Sequence, residues 1–289
     1  MNAMSIASVK STSDCAILYT VTTTQLQVLQ VVLQDLWEFG PDTIDPVTPE
    51  TLQKWANQGE LAVALQLKPQ ANTMSIQDAL DTAIHQRRSC DSVQAVGTVR
   101  MANIRTVEHT RQALIDNFCP PCMFSQSLPL DTSSFSLGLY SLTTQSFEPH
   151  LPLLGSERIP RVHVGRDSVS YSTTGFVRRG VRGSGLYQQL AMGKSLSYLP
   201  EYCRTVQGGN KAFWFFTVSD HEGGRKLALA YMKMIGASMA AVAKALKWGN
   251  VSACRVVHWG AWDPAHNIPI RGYLVCMDPR VECLRLAKL

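Results

Sequence analysis

Residues 171–190, Tyr-Ser-Thr-Thr-Gly-Phe-Val-Arg-Arg-Gly-Val-Arg-Gly-Ser-Gly-Leu-Tyr-Gln-Gln-Leu, hold the residue types that can do chemistry at a defined spacing. A β-prone run ending in Phe176 and Val177 enters an Arg- and Gly-rich loop, Arg178–Gly185, which opens into a helical pattern from Leu186. Strand, glycine loop and helix N-terminus in that order build an anion site, because the first amides of a helix lack intrahelical acceptors and the macrodipole is positive there. Gly183 and Gly185 let the backbone approach a ligand that a Cβ would keep away. Arg178, Arg179 and Arg182 add formal charge, so the chemistry implied is binding of a phosphate or pyrophosphate.

Two familiar phosphate loops do not fit. A Walker A loop needs Lys-Ser/Thr after its second glycine, and Gly185 is followed by Leu186 and Tyr187. A dinucleotide fingerprint needs G-x-G-x-x-G, and Gly180, Gly183 and Gly185 are spaced otherwise. The segment resembles motif A of the GNAT acyltransferase superfamily, in which a strand ending in Val is followed five residues later by Arg-Gly-x-Gly. Val177 precedes Arg182-Gly183-Ser184-Gly185-Leu186 by that interval. Arg182 and Gly185 meet the R-x-x-G-x-G/A consensus, and Tyr187 departs from it at the last position, where a bulky side chain would crowd a pyrophosphate.

Around the loop, Cys15–Thr20 is a short β-prone run, and Leu26, Leu29, Val32, Leu33 and Leu36 recur at helical spacing within 26–39. Thr48-Pro49 starts a helix running to Ala56, and 75–87 is helical. Leu61–Leu67, Ala95–Met101, Val169–Val177, Ala212–Ser219, Arg255–Trp262 and Arg271–Met277 read as strands, the last two as a closing pair. Leu186–Leu199 and Glu222–Leu246 read as helices. This order over nearly the whole chain resembles the GNAT fold, which implies an α+β (mixed α/β) architecture: a central, twisted, mostly antiparallel sheet flanked by helices. The expectation is one domain over 1–289, with 68–94 and 103–167 as insertions, the second between strands 3 and 4. Within it, 107–117 reads as a helix and Phe135–Leu142 as β-prone. It is either an elaboration packed on the sheet or a wall of the acceptor pocket.

The composition is that of a globular protein, and 27 Lys and Arg against 22 Asp and Glu leave a formal charge of +5. That modest excess favours a phosphate-bearing small molecule over a nucleic acid duplex. No run approaches a membrane span, and residues 1–10 lack a secretory leader, so a cytoplasmic protein, monomeric or homodimeric, is expected. The eight cysteines read as reduced thiols. Cys119-Pro-Pro-Cys122 has redox or metal spacing, but no second pair follows it at zinc-site distance, so no metal is expected.

The resemblance implies acetyl-CoA, or another acyl-CoA, as co-substrate and a small-molecule or peptide amine as acceptor. The family binds the donor where two central strands splay apart. It implies that backbone amides of Arg182, Gly183, Ser184, Gly185 and Leu186, beside Tyr187, hold the pyrophosphate. The edge Phe176-Val177-Arg178 would pair with the pantetheine arm. A second motif of the family reads N-x-x-A-x-x-L-Y-x-K-x-G-F. Anchored on Gly236, it puts Ala228 in the Ala slot, Arg225 in the Asn slot and Met232 in the Tyr slot, with Tyr231 one residue early. Tyr231 is the candidate acid for the leaving thiolate, or else a core aromatic. His221 is the candidate base, beside Asp220, or else a turn residue. Trp37, Glu38, His258, Trp259 and Trp262 are further residues that would face an acceptor or pack in the core. The expected reaction is acetyl transfer to a primary amine by direct attack. The alternatives are a longer-chain N-acyltransferase similar to acyl-homoserine-lactone synthases, whose Arg-Phe-x-Val is broken here by Gly175, and a catalytically inactive CoA- or partner-binding domain.

Overall fold

The computed structural model describes residues 7–8, 15–38, 47–71, 74–104, 120–124, 135–151, 161–247, 251–264 and 267–277. It is a mixed α/β protein with a ten-stranded, open, mostly antiparallel sheet flanked by helices, the fold class the sequence implies. The chain forms two compact units, one of Met1–Ala102 with Thr174–Lys194, the other of Asn103–Thr173 with Ser195–Leu289.

In the first unit, strands β1 (Ala7–Ser8), β2 (Cys15–Leu18), β3 (Leu61–Leu67) and β4 (Val93–Ile104) pair antiparallel in chain order. Helix α1 (Thr23–Glu38) lies between β2 and β3, as does α2 (Pro49–Asn57), which Thr48 caps by accepting from the Thr51 amide. Helix α3 (Ile76–Gln86) starts with a capping box from Ser75 and Asp78 and ends at Arg87 in the left-handed conformation. The apolar stripe of α1 (Leu26, Leu29, Leu33, Leu36) packs with Leu52 and Trp55 of α2, Leu80 of α3 and Leu61, Val63 and Leu65 of β3. Burying each such leucine contributes about 2 kcal/mol. Phe176, on β7 (Ser168–Val177), joins this cluster and so fixes the strand that feeds the Arg/Gly loop.

In the second unit, β8 (Ala212–Ser219) pairs parallel with β7 from Ser168↔Ala212 to Tyr171↔Phe215. The chain then makes the antiparallel hairpin β9 (Ala253–Asp263) and β10 (Ile268–Met277), and β10 slots between β8 and β9. Phe213, Trp214, Phe215 and Phe216 are all buried, as a central strand covered on both faces requires. Part of the 103–167 insertion is sheet: β5 (Phe135–Ser141) pairs with β9, and β6 (Ser146–Leu151) forms the edge beyond it. The helix expected over 107–117 lies outside the described residues.

The helix expected over Leu186–Leu199 is α4 (Leu186–Ser197), and a further helix, α5 (Leu199–Gln207), follows it, because Pro200 suits the first turn of a new helix. Against the expectation that no run approaches a membrane span, α6 (Glu222–Ala245), 24 residues, has the length and composition of one. Its Ala228, Tyr231, Met232, Ile235, Met239 and Val242 are buried, and Tyr231 packs on Phe216 of β8, as in the core helix of a globular unit.

Candidate functional site

The β7–α4 junction lies in the first unit and is held at its entrance by Arg178. Its amide donates to the Val96 carbonyl (2.9 Å), its Nε to the Ala95 carbonyl (2.7 Å), and its guanidinium pairs with the Asp35 carboxylate on α1. Arg178, expected among the donor-binding residues, thus has its side chain tied to α1 and β4. The chain then makes a single 3-10 turn, Arg179–Val181. Arg182 Nε donates to the Val177 carbonyl (3.0 Å), and its guanidinium lies 5.6 Å from the Phe176 ring centroid. The five-residue interval between Val177 and Arg182 is therefore a hydrogen bond that folds the loop back onto the end of the strand.

Gly183 and Gly185 have φ of +84° and +78°, the left-handed region that glycine enters without strain, and a Cβ at either would meet nothing within 4 Å. The Arg182 and Ser184 amides point back into the turn, toward the Arg179 (3.2 Å) and Val181 (3.4 Å) carbonyls. Among the described residues, the Gly183 and Gly185 amides have no backbone acceptor, and the Leu186 amide has only the Ser184 hydroxyl at 3.4 Å. The first turn of α4 carries no acid. These features leave an exposed, positively polarised N-terminus, with Arg179 and Arg182 in the loop that precedes it.

Tyr187 does not crowd this cradle. A Cβ on Gly175 would lie 2.3 Å from Tyr187 Cε2 and 2.8 Å from its hydroxyl, so the ring rests across β7 where the strand has no side chain. Tyr187 on the helix and Gly175 on the strand thus fit each other.

In the second unit, His221 is the N-cap of α6. Its Nδ1 accepts from the Gly224 amide (2.9 Å), and its Nε2 lies 3.0 Å from the Ser219 hydroxyl. The lone pair of the neutral ring is thereby engaged at Nδ1, which leaves the proton on Nε2. Asp220 is paired with Arg225 and Arg271, each at 3.1 Å. Tyr231 is buried, with its ring centroid 4.9 Å from that of Phe216. His258 and Trp259 are buried in the β9–β10 hairpin, and Trp262 is exposed. The side chains of Trp37 and Glu38, and Cys119, lie outside the described residues. Six described cysteines are in no disulfide, and burial pushes the thiols of Cys90 and Cys203 up, away from nucleophilic reactivity. Among the described residues, no three His, Cys, Asp or Glu side chains converge to hold a metal.

Two residues tied to the loop segment escape a sequence reading. Asp35 sits on α1, far from Arg178 in the chain, with no local signal. Lys194 follows Leu186 and Leu190 at four-residue steps, which puts it on the buried stripe of α4.

The strand order, the parallel pair at β7–β8 and the glycine loop opening α4 match a GNAT-like fold. No family model matches the chain, and no curated protein matches it. Among solved structures, it is similar to Arabidopsis thaliana NAA60 in complex with acetyl-CoA, at 12% identity and TM-score 0.33 over 91% of this chain and 97% of that one. So slight a likeness transfers no residue roles.

Proposed function

We propose that this chain is an acyl-CoA-dependent N-acyltransferase, with acetyl-CoA as donor and a primary amine as acceptor. The observation that carries the reading is the β7–α4 junction: two left-handed glycines in open space, amides at a helix start, and Arg182 bound back over the end of the strand. A diphosphate suits such a cradle because its charge meets both the dipole and the guanidinium. In this reading the amides of Gly183, Gly185 and Leu186 take the pyrophosphate. Phe176 and Val177 present the strand along which the pantetheine arm runs.

The reaction is attack of a neutral amine on the thioester carbonyl. A C–N bond forms, the C–S bond breaks, a proton leaves the amine and one is taken up by the thiolate. Tyr231 is the assigned proton donor, since a phenol remains protonated at neutral pH and can deliver its proton as the thiolate leaves. A base at His221 must first release the Gly224 amide. That commitment favours a second reading, a domain that binds acyl-CoA without turning it over.

Isothermal titration with acetyl-CoA tests the first claim, and lack of binding by the folded protein ends it. Thiol release across a panel of amines separates the two readings: release supports catalysis, while binding without release supports the second. Faster release from fatty acyl donors than from acetyl-CoA would move the assignment to long-chain transfer.

A further inference from the structure

We infer that Asp35 and Lys194 are positioning residues that hold the donor loop in its binding geometry from the two ends of helix α1. The ligand in this inference rests on the donor reading above; the geometry does not. The loop has little to fix it from within. Its internal backbone bonds are short-range turn contacts, and the space around Gly180, Gly183 and Gly185 is open. Its place must therefore come from its ends. At the entrance, Arg178 is tied to β4 through the Ala95 and Val96 carbonyls and to the last turn of α1 through Asp35. At the far end of α4, a Cβ on Gly193 would meet the Tyr19 ring at 1.8 Å, so the helix backbone lies directly on that ring.

The next residue, Lys194, is fully buried, and its ammonium donates to the Gly59 carbonyl and to the Thr20 hydroxyl (3.3 Å). Thr20 lies three residues before the start of α1, and Asp35 lies near its end. The segment is thus pinned near both ends of one helix. A buried ammonium is costly to desolvate, and a methionine would fill the same space without that cost. Its retention here fits a role in fixing one arrangement of α4 rather than in adding stability.

Among the described residues, the titratable and charged groups placed near Lys194 include Tyr19, whose ring lies on the neighbouring Gly193, and Glu60, before β3, which is itself paired with Arg100 of β4 at 2.9 Å. Burial pulls Lys194 down to about 8, and Glu60 opposes that shift. Above that pH the neutral amine loses its charge and one donor, so the pin weakens. Stability moves the other way. The folded protein carries fewer protons on this group than the unfolded chain between pH 8 and the ordinary value of 10.5, so its contribution to stability grows as pH rises through that window. Opposite slopes of affinity and stability distinguish a positioning role from a merely structural one.

The test measures acetyl-CoA affinity by calorimetry, together with the rate of limited tryptic cleavage at Arg178, Arg179 and Arg182 in ligand-free protein. Asp35→Asn and Lys194→Met are each expected to weaken affinity about three- to fivefold and to speed cleavage, and Asp35→Glu to restore both. Wild-type affinity should fall from about pH 7 to about pH 9.5 while its melting temperature does not follow, and Lys194→Met should lose that pH response. Unchanged affinity, or unchanged cleavage, in folded variants overturns the inference. If Lys194→Met does not fold, Asp35→Asn and the wild-type pH profile decide. If the wild type binds no acetyl-CoA, the donor reading falls alone, and the cleavage rates still decide whether the two residues position the loop.

Discussion

The chain passes from strand to helix at two comparable places, β7 to α4 and β8 to α6, and finishes them in opposite ways. At β8–α6 the junction is short, and side chains close the helix start. His221 accepts the Gly224 amide, Glu222 supplies an acid in the first turn, and Glu222 pairs with Lys226 at 2.7 Å. At β7–α4 a longer loop brings two left-handed glycines to the helix start, with no acid in the first turn. A helix N-terminus is a generic anion site, and what makes one specific is whether the protein consumes its donors internally. The β8–α6 junction commits them to a cap, and β7–α4 presents them outward.

Four substitutions press on that contrast. The largest effect is expected from Gly185→Asp, which puts a side chain at φ +78° and a carboxylate at the open helix start. Acetyl-CoA affinity should fall on the order of 100-fold, and calorimetry showing wild-type affinity would mean the junction is not the donor site. Next, Tyr231→Phe should slow thiol release by at least about tenfold with little change in affinity, and a wild-type rate would remove Tyr231 as proton donor. Arg182→Glu should weaken donor binding by about tenfold through charge reversal, an effect that shrinks as salt is added. The smallest change is expected from His221→Ala, which removes the α6 cap. It should cost about 1 kcal/mol and lower the melting temperature by a few degrees while donor affinity stays as it was. Loss of turnover at unchanged stability would instead restore His221 as the base.

Local pattern carried most of the framework. Ala212–Ser219 is legible to the residue because an uninterrupted aromatic run bounded by Lys211 and Asp220 leaves little choice of ends. The Thr48-Pro49 start is equally legible, since both the cap and the fixed φ of proline act within one turn. The α4–α5 boundary is not, because Tyr198-Leu199-Pro200 reads as an ending when it is also a beginning. Ser146–Leu151 was missed as a strand, since Pro149 interrupts its pattern and its place depends on β5, which in turn depends on β9. The site divides along the same line. The glycines and Arg182 act on neighbours a few residues away and could be read directly. The pairing of Asp35 with Arg178 spans 143 positions, and the Lys194 contact with Thr20 spans 174. Only the folded register brings such partners together.

The fit of Tyr187 against Gly175 changes how this motif should be recognised. What the helix–strand contact constrains is the summed volume of two positions, so a large residue on the helix is admissible where the strand has no side chain. A sequence pattern written for the helix position alone would reject this chain, and one written for the pair would admit it. A small residue at 187 without a larger one at 175 would open a gap beside the Arg/Gly loop, and enlarging 175 alone would force the ring out toward it.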